Sequence, residues 1–246
     1  MEAEKGKEIA RIWDSLWKKV KVEEWDKPSE TIYQILCKAI IARKDKLMLE
    51  AGSGTGRISL KLMRERKATV ILLDVSKTAI KMSKEHFKER GQVGFFILGS
   101  IFNMPIKTNS IDIVWNAGVL EHFSEHERTL ALKEMAKACR NNGLIITINP
   151  YSRSLLYRVG KWVAEKRKKW IYGYEKPVNS MTKHAMDNCL WVTEYSADFD
   201  TSINFLSSIP YSRYFIPIIC KIFNRLPTHI PKYFGYLLIS VAIKVK

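Results

Sequence analysis

Nowhere in its 246 residues does the sequence reach the ~18–20 uncharged apolar residues that a membrane-spanning helix requires. Its first ten residues, MEAEKGKEIA, are charged where a secretory leader carries an apolar core. Secretion and membrane spanning are therefore not expected, and the chain reads as cytoplasmic. Cysteine is scarce: Cys37, Cys139, Cys189 and Cys220 stand apart, with no CxxC pair and no Cys/His cluster. That pattern argues against a disulfide frame or a zinc site, and no metal is expected. Repeats and low-complexity linkers are also missing. Acidic residues are in deficit, 25 Asp+Glu against 41 Lys+Arg, for a net charge of +16. The excess is weighted toward residues 151–246, which carry 15 basic and 6 acidic side chains. A field of that sign suits RNA, a phosphorylated metabolite or an acidic membrane face, although lysine-rich surfaces also occur in proteins that bind nothing anionic.

What is present is a globular composition, 46% hydrophobic and 27% charged. Ile9, Ile12, Trp13, Leu16, Trp17 and Val20 recur at helical spacing, and Ser29 opens a second helix to about Ile41. Strands and helices then alternate. Leu47–Glu50, Thr69–Asp74, Val93–Leu98, Ile111–Trp115 and Leu144–Asn149 read as strands, and helices are expected over about 56–66, 77–90 and 125–140. Such alternation means an α/β fold with a parallel sheet, whose ligands sit at the carboxyl ends of the strands. After Pro150 the rhythm changes. A helical stripe (Leu155, Leu156, Val159, Trp162, Val163) runs into Lys166-Arg167-Lys168-Lys169. Trp191–Asp198 and Tyr236–Val245 read as two last strands, separated by an aromatic, apolar and cation-studded insert over 201–235.

The stretch LMLEAGSGTGRISL, residues 47–60, leads a strand through Gly52, Gly54 and Gly56 into a helix. Glycines there permit a tight turn and close approach of a ligand to the main chain, and a helix N-terminus offers N–H donors. A dinucleotide fingerprint would place its third glycine at position 57, which is Arg57. Glu50, at the strand tip, would repel a pyrophosphate but attract an ammonium group, so the spacing favours a zwitterionic nucleoside. Asp74 ends the next strand, where a carboxylate can accept bonds from both ribose hydroxyls.

With these residues the chain resembles class I S-adenosylmethionine-dependent methyltransferases, notably the small-molecule branch that includes quinone- and sterol-type enzymes. The matching segments are LEAGSGTG (49–56), LLDVS (72–76), GSIFNMP (99–105) and SIDIVWNAGVLEHF (110–123), in an order and spacing that cover about residues 45–150. The resemblance implies a Rossmann-like doubly wound seven-stranded sheet with a C-terminal antiparallel hairpin, as a single domain. Residues 1–44 would form N-terminal helices, 45–150 the cofactor-binding core, and 151–246 a substrate-side cap with the helical insert before the last strand. It also implies S-adenosylmethionine as cofactor and S-adenosylhomocysteine as product. Glu50, Gly52, Ser53, Gly54 and Gly56 would hold the methionine part, and Asp74 with Val75 the ribose. Ser100 and Ile101 would flank the adenine, with Ser100 where the family usually has an acidic residue. Asn116 and Ala117 would meet the cofactor after the fourth strand.

Methyl transfer needs alignment and exclusion of water, and some acceptors also need a base. Glu121 and His122 follow the fourth strand at the mouth of the site; His122 is the first candidate for a base or substrate contact, and packing against Phe123 is its competing role. Tyr174 and His184 are further candidates, and Trp13 and Trp17 suit either a lid or core. Asn149-Pro150-Tyr151 falls one strand too late for an amino-methylating motif and reads as a turn. The expected acceptor is a small molecule or lipid precursor, with peripheral contact to an anionic membrane through 201–235. An RNA acceptor gripped by the basic C-terminal third is the second reading, and a non-catalytic cofactor-binding scaffold the third.

Overall fold

The computed structural model describes residues 2–18, 25–41, 47–170, 175–188, 190–223, 225 and 234–245. Seven strands form one sheet in the order β3-β2-β1-β4-β5-β7-β6. They are β1 (Leu47–Ala51), β2 (Thr69–Asp74), β3 (Phe95–Leu98), β4 (Ile111–Ala117), β5 (Cys139–Pro150), β6 (Leu190–Ala197) and β7 (Leu237–Lys244). β1 to β5 run parallel, whereas β7 is antiparallel to both β5 and β6. This is the expected doubly wound sheet with its C-terminal hairpin. The chain order reverses between β1 and β4, so the crevice between these two strands opens at their carboxyl ends.

The sheet is buried on both sides, and period-two alternation sorts its side chains. Met48, Ile113, Trp115, Ile146 and Ile239 pack to one face with Ile32, Leu36 and Leu62, from helices α2 (Lys27–Ile41) and α3 (Arg57–Arg66). Phe87 of α4 (Lys77–Glu89) joins the same layer. Leu49, Val114, Ile145 and Leu238 pack to the other, against α5 (Glu125–Ala138) and α7 (Thr182–Met186). Helix α1 (Glu2–Trp17) contacts α4, while α6 (Leu155–Lys166), α8 (Phe199–Phe205) and α9 (Ser212–Phe223) build the C-terminal side.

Several boundaries differ from the sequence expectation, each for a local reason. Helix α2 starts at Lys27, because Asp26 and not Ser29 caps it: the Ser29 N–H donates to Asp26 Oδ1 at 2.8 Å. Helix α5 starts on a capping box between Ser124 and Glu127 but stops at Ala138. Cys139 already pairs with Ile111, so Asn141-Asn142-Gly143 is an irregularity inside β5, with Asn142 at φ 59°, and not a helix end. β3 begins at Phe95, two residues later than expected, and β6 ends before Asp198, which takes φ 66° and caps α8 through Thr201. Val20 and part of the 201–235 insert lie outside the described residues.

Candidate functional site

The carboxyl ends of β1, β2 and β4 open into a cavity of about 1530 Å³. Typical small-molecule sites hold ~300–1,000 Å³, so this one has room for a nucleoside-sized ligand and a second molecule. Glu50, Gly52, Ser53, Gly54, Asp74, Val75, Ser100, Ile101 and Ala117 line one part of it, and Glu121 and His122 another. Two expected residues do not line it. Gly56 lies under the loop, where an added Cβ would overlap Leu72 Cδ2 and sit 3.2 Å from Ser83 Oγ. Asn116 is fully buried beneath the site with Nδ2 on Met135 Sδ at 3.4 Å; Ala117 and Gly118 face the cavity in its place.

The loop is pinned from within. The N–H groups of Gly52 and Ser53 donate to Leu73 O (2.7 and 3.0 Å), that of Gly56 to Ser53 O (2.9 Å), and that of Gly54 to Asp74 Oδ2 (2.8 Å). A pyrophosphate nest needs such N–H groups for its ligand; here four are committed to the protein. Positive φ at Gly52, Gly54 and Gly56 makes this tight path possible. Ser83 Oγ donates to Gly54 O (2.8 Å), tying the loop to α4.

Asp74 therefore has a structural duty, but it does not cap α4. Ser76 does so, accepting from Ala79 N–H, while Asp74 Oδ1 accepts from Ser76 N–H at 2.8 Å. Glu50 is 6% exposed, and Ser59 Oγ donates to its Oε2 at 2.6 Å. Burial pushes its carboxyl up to about 8 despite that bond, with the nearby Asp74 charge adding to the rise. Asp74 is raised in the same sense by burial. Two desolvated carboxyls at adjacent strand tips are poised to receive a cationic, hydroxylated ligand, which would favour their ionised forms.

Ser100 turns its hydroxyl to the main chain and accepts from Phe102 N–H at 3.2 Å. His122 borders the cavity with Nε2 4.0 Å from Glu121 Oε1, and its ring packs edge-on against Trp13 at 5.0 Å. Trp13 and Trp17 line the cavity, and an added Cβ at Gly54 would meet Trp17 Cζ2 at 2.6 Å. Asp14, one turn from Trp17, reinforces the start of α4 through Ser76 Oγ (2.5 Å) and Thr78 N–H (3.0 Å), so α1 is fastened across the glycine loop. His184 belongs elsewhere: it bonds Thr129 Oγ1 at 2.7 Å and Glu125 at 3.1 Å, joining α7 to α5. Tyr174 lies outside the described residues. Glu175, Phe205 and Tyr236 line the cavity too. No periodic or motif signal singles them out, because they come from three separate segments brought together only by the cap.

These carboxyls impose a pH dependence. Glu50 and Glu121 each sit near 8, against an ordinary value of 4.5. Between those values the folded state holds protons that the unfolded chain has released, so stability falls as pH rises. The limit is about 1.4 kcal/mol per pH unit for each group. The melting temperature is expected to fall from about pH 5 to about pH 8, and Glu50→Gln to flatten the slope; a profile unchanged by Glu50→Gln would remove Glu50 from this account.

A glycine turn after β1, carboxyls at the tips of β1 and β2, and a 3-2-1-4-5-7-6 sheet define the fold and ligand crevice of the class I S-adenosylmethionine-dependent methyltransferases. Residues 49–147 match the family model described as a methyltransferase domain. Among curated proteins it is 22% identical over 148 residues to the ubiquinone/menaquinone biosynthesis C-methyltransferase of Yersinia pestis (strain Pestoides F), covering 53% of this chain and 58% of that protein. It is 26% identical over 99 residues to the N-terminal Xaa-Pro-Lys N-methyltransferase 1 of Xenopus tropicalis, covering 40% and 44%. The chain thus spans about half the length of the curated relatives it matches. Among solved structures, geranyl diphosphate C-methyltransferase of Streptomyces coelicolor A3(2) shares the fold with a TM-score of 0.63 at 13% identity, over 98% of both chains. Magnesium protoporphyrin IX methyltransferase of Synechocystis PCC 6803 does so with a TM-score of 0.61 at 13% identity, over 97% and 96%.

Proposed function

We propose that the protein transfers the methyl group of S-adenosylmethionine to a small-molecule acceptor. One observation carries this reading: the pinned glycine loop and the Glu50–Asp74 carboxyls share a single cavity with a second, aromatic and acidic compartment. Glu50 would hold the ammonium of the methionine part, Asp74 the ribose hydroxyls, and Ser100 and Ile101 the adenine. When bound, the cofactor supplies a methyl group already activated on a sulfonium. The chain has to align the acceptor and keep water out, and the Trp13 and Trp17 rings over the crevice suit the second task.

The test is label transfer from methyl-labelled S-adenosylmethionine in a cell extract, partitioned into organic, RNA and aqueous metabolite fractions. Label is expected in the organic or aqueous metabolite fraction. Label in RNA would put the basic C-terminal third to work on phosphates. Cofactor binding without transfer to any fraction would favour the scaffold reading.

A peripheral membrane partner is part of the same proposal. Helix α9 buries none of its residues, and Tyr214, Ile218 and Ile222, four apart, are 61%, 59% and 52% exposed. Arg213, Lys221 and Arg225 flank them. Helix α6 exposes Leu155, Val159 and Trp162 ahead of the Lys166–Lys169 run. Apolar stripes edged by cations suit the surface of an anionic bilayer. Among the described residues no helix is long and apolar enough to cross one. The protein is expected to sediment with anionic vesicles at low salt, to stay in solution with neutral ones, and to lose sedimentation in an Ile218→Glu/Ile222→Glu variant. Failure to sediment with anionic vesicles would drop the membrane partner and leave the methyltransferase reading intact.

A further inference from the structure

The charge of the cavity wall opposes that of the molecule. With a net charge of +16 overall, the described lining carries six carboxyl groups and one guanidinium, Arg57, with no lysine. Four of the six have duties already described or visible. Glu50 and Asp74 belong to the glycine-loop end, Asp26 pairs with Arg57 at 3.3 Å, and Glu127 closes the capping box of α5. The remaining two, Glu121 and Glu175, sit together in the compartment shared with His122, Phe205 and Tyr236.

Glu121 is 3% exposed, and its Oε2 makes no hydrogen bond. A buried carboxyl oxygen without a partner is costly and points to a missing donor. Glu175 accepts a short bond from Tyr157 Oη. Both carboxyls are raised, Glu121 to about 8, by burial first and in Glu121 by the neighbouring Glu175 as well. The nearby cations offset this rise only in part: Arg128 and Lys161 favour the charged form of Glu121, and Lys161 that of Glu175, while the close contacts of both cations are with other groups. Arg128 donates to Leu120 O, Glu125 Oε1 and Lys176 O at 2.8–2.9 Å. Lys161 pairs with Glu165 at 3.0 Å and lies 4.1 Å over the Trp170 ring. Around the carboxyls, the rings of Tyr157, Phe205 and Tyr236 pack mutually with centroids 4.9–5.0 Å apart. Aromatic faces and carboxylates are the two wall types that favour a cation. A phosphate, diphosphate or carboxylate would instead hold these carboxyls in their protonated forms and gain no opposite charge from them.

We propose that this compartment is an ammonium site and that the acceptor is an amine with an apolar body, held by Glu121 and Glu175 against Phe205 and Tyr236. The inference rests on the methyltransferase reading and names its substrate class. A bound ammonium becomes a nucleophile by losing one proton. The N–H bond breaks, its electron pair stays on nitrogen, and the Glu121 carboxylate takes the proton, with His122 4.0 Å away at the mouth as the next group toward solvent.

Calorimetry on the full chain saturated with S-adenosylhomocysteine tests this with three probes of one length: n-octylamine, 1-octanol and octanoate. The amine is expected to bind at least about tenfold tighter than the alcohol, with octanoate weakest, and Glu121→Gln and Glu175→Gln each to remove most of that preference. The comparison on the unmodified protein needs no variant to fold. Equal or weaker binding of the amine, absence of amine binding, or a preference that survives both variants would overturn the ammonium site. Failure of S-adenosylhomocysteine itself to bind would instead overturn the methyltransferase reading beneath it.

Discussion

Replacing Asp74 with alanine is expected to weaken S-adenosylhomocysteine binding by about 100-fold or more. Two effects add. A carboxylate that accepts from two ribose hydroxyls loses ~1.5–3 kcal/mol for each bond to a charged group. The same change strips the Gly54 N–H of its buried acceptor, now 2.8 Å away, so the loop that the ligand lies against is no longer pinned. Asp74→Asn separates the two. Its amide oxygen can still accept from Gly54 and keep the loop pinned, but its NH2 then faces the Ser76 N–H and the charge is gone, so an intermediate loss is expected. Titration calorimetry reads the affinity and a thermal melt reads the loop. Unchanged affinity in the alanine variant would remove Asp74 from the ribose contact.

A large stability effect is expected at Gly56. Alanine there would place a Cβ onto Leu72 Cδ2, a side chain with no exposure in the middle of β2, and within 3.2 Å of Ser83 Oγ. Overpacking of that kind costs ~1–3 kcal/mol. The φ of +66° adds roughly 1 kcal/mol for any residue with a Cβ. For a chain of this size the sum corresponds to a fall of about 10 °C in melting temperature. Gly91 is the control. It has a similar φ of +62° but nothing within 4 Å of an added Cβ, so Gly91→Ala should show only the backbone part. Equal falls for the two variants would mean that packing against Leu72 contributes nothing.

Much of this molecule is legible in the chain itself. The apolar runs TVILLD and LIITIN can only be strands buried on two faces, and their alternation with helical stripes fixes a parallel sheet. The Glu50–Gly52–Gly54–Gly56 spacing and Asp74 are likewise local, because each depends on one strand, its tip and the turn that follows. Helix ends were less legible. Cys139 could extend α5 or begin β5, and only pairing with Ile111 decides for the strand. Asn116 illustrates the period-two limit: alternation alone leaves a residue at a strand's carboxyl end two faces, ligand or core, and here it turns under the site to Met135 while Ala117 faces the cavity.

By itself, then, the sequence determined the sheet, the glycine turn and the acidic strand tips, since these follow from short-range periodicity, backbone freedom and charge. Tertiary structure alone decided the character of the cavity's second compartment. Glu121, Glu175, Phe205 and Tyr236 are separated by up to 115 residues, and no local pattern brings them together. Their shared wall exists because the chain leaving edge strand β6 turns into α8, which packs against α6 and α2. The same packing sets an acidic cavity inside a strongly basic molecule, a sign reversal that net charge could only conceal.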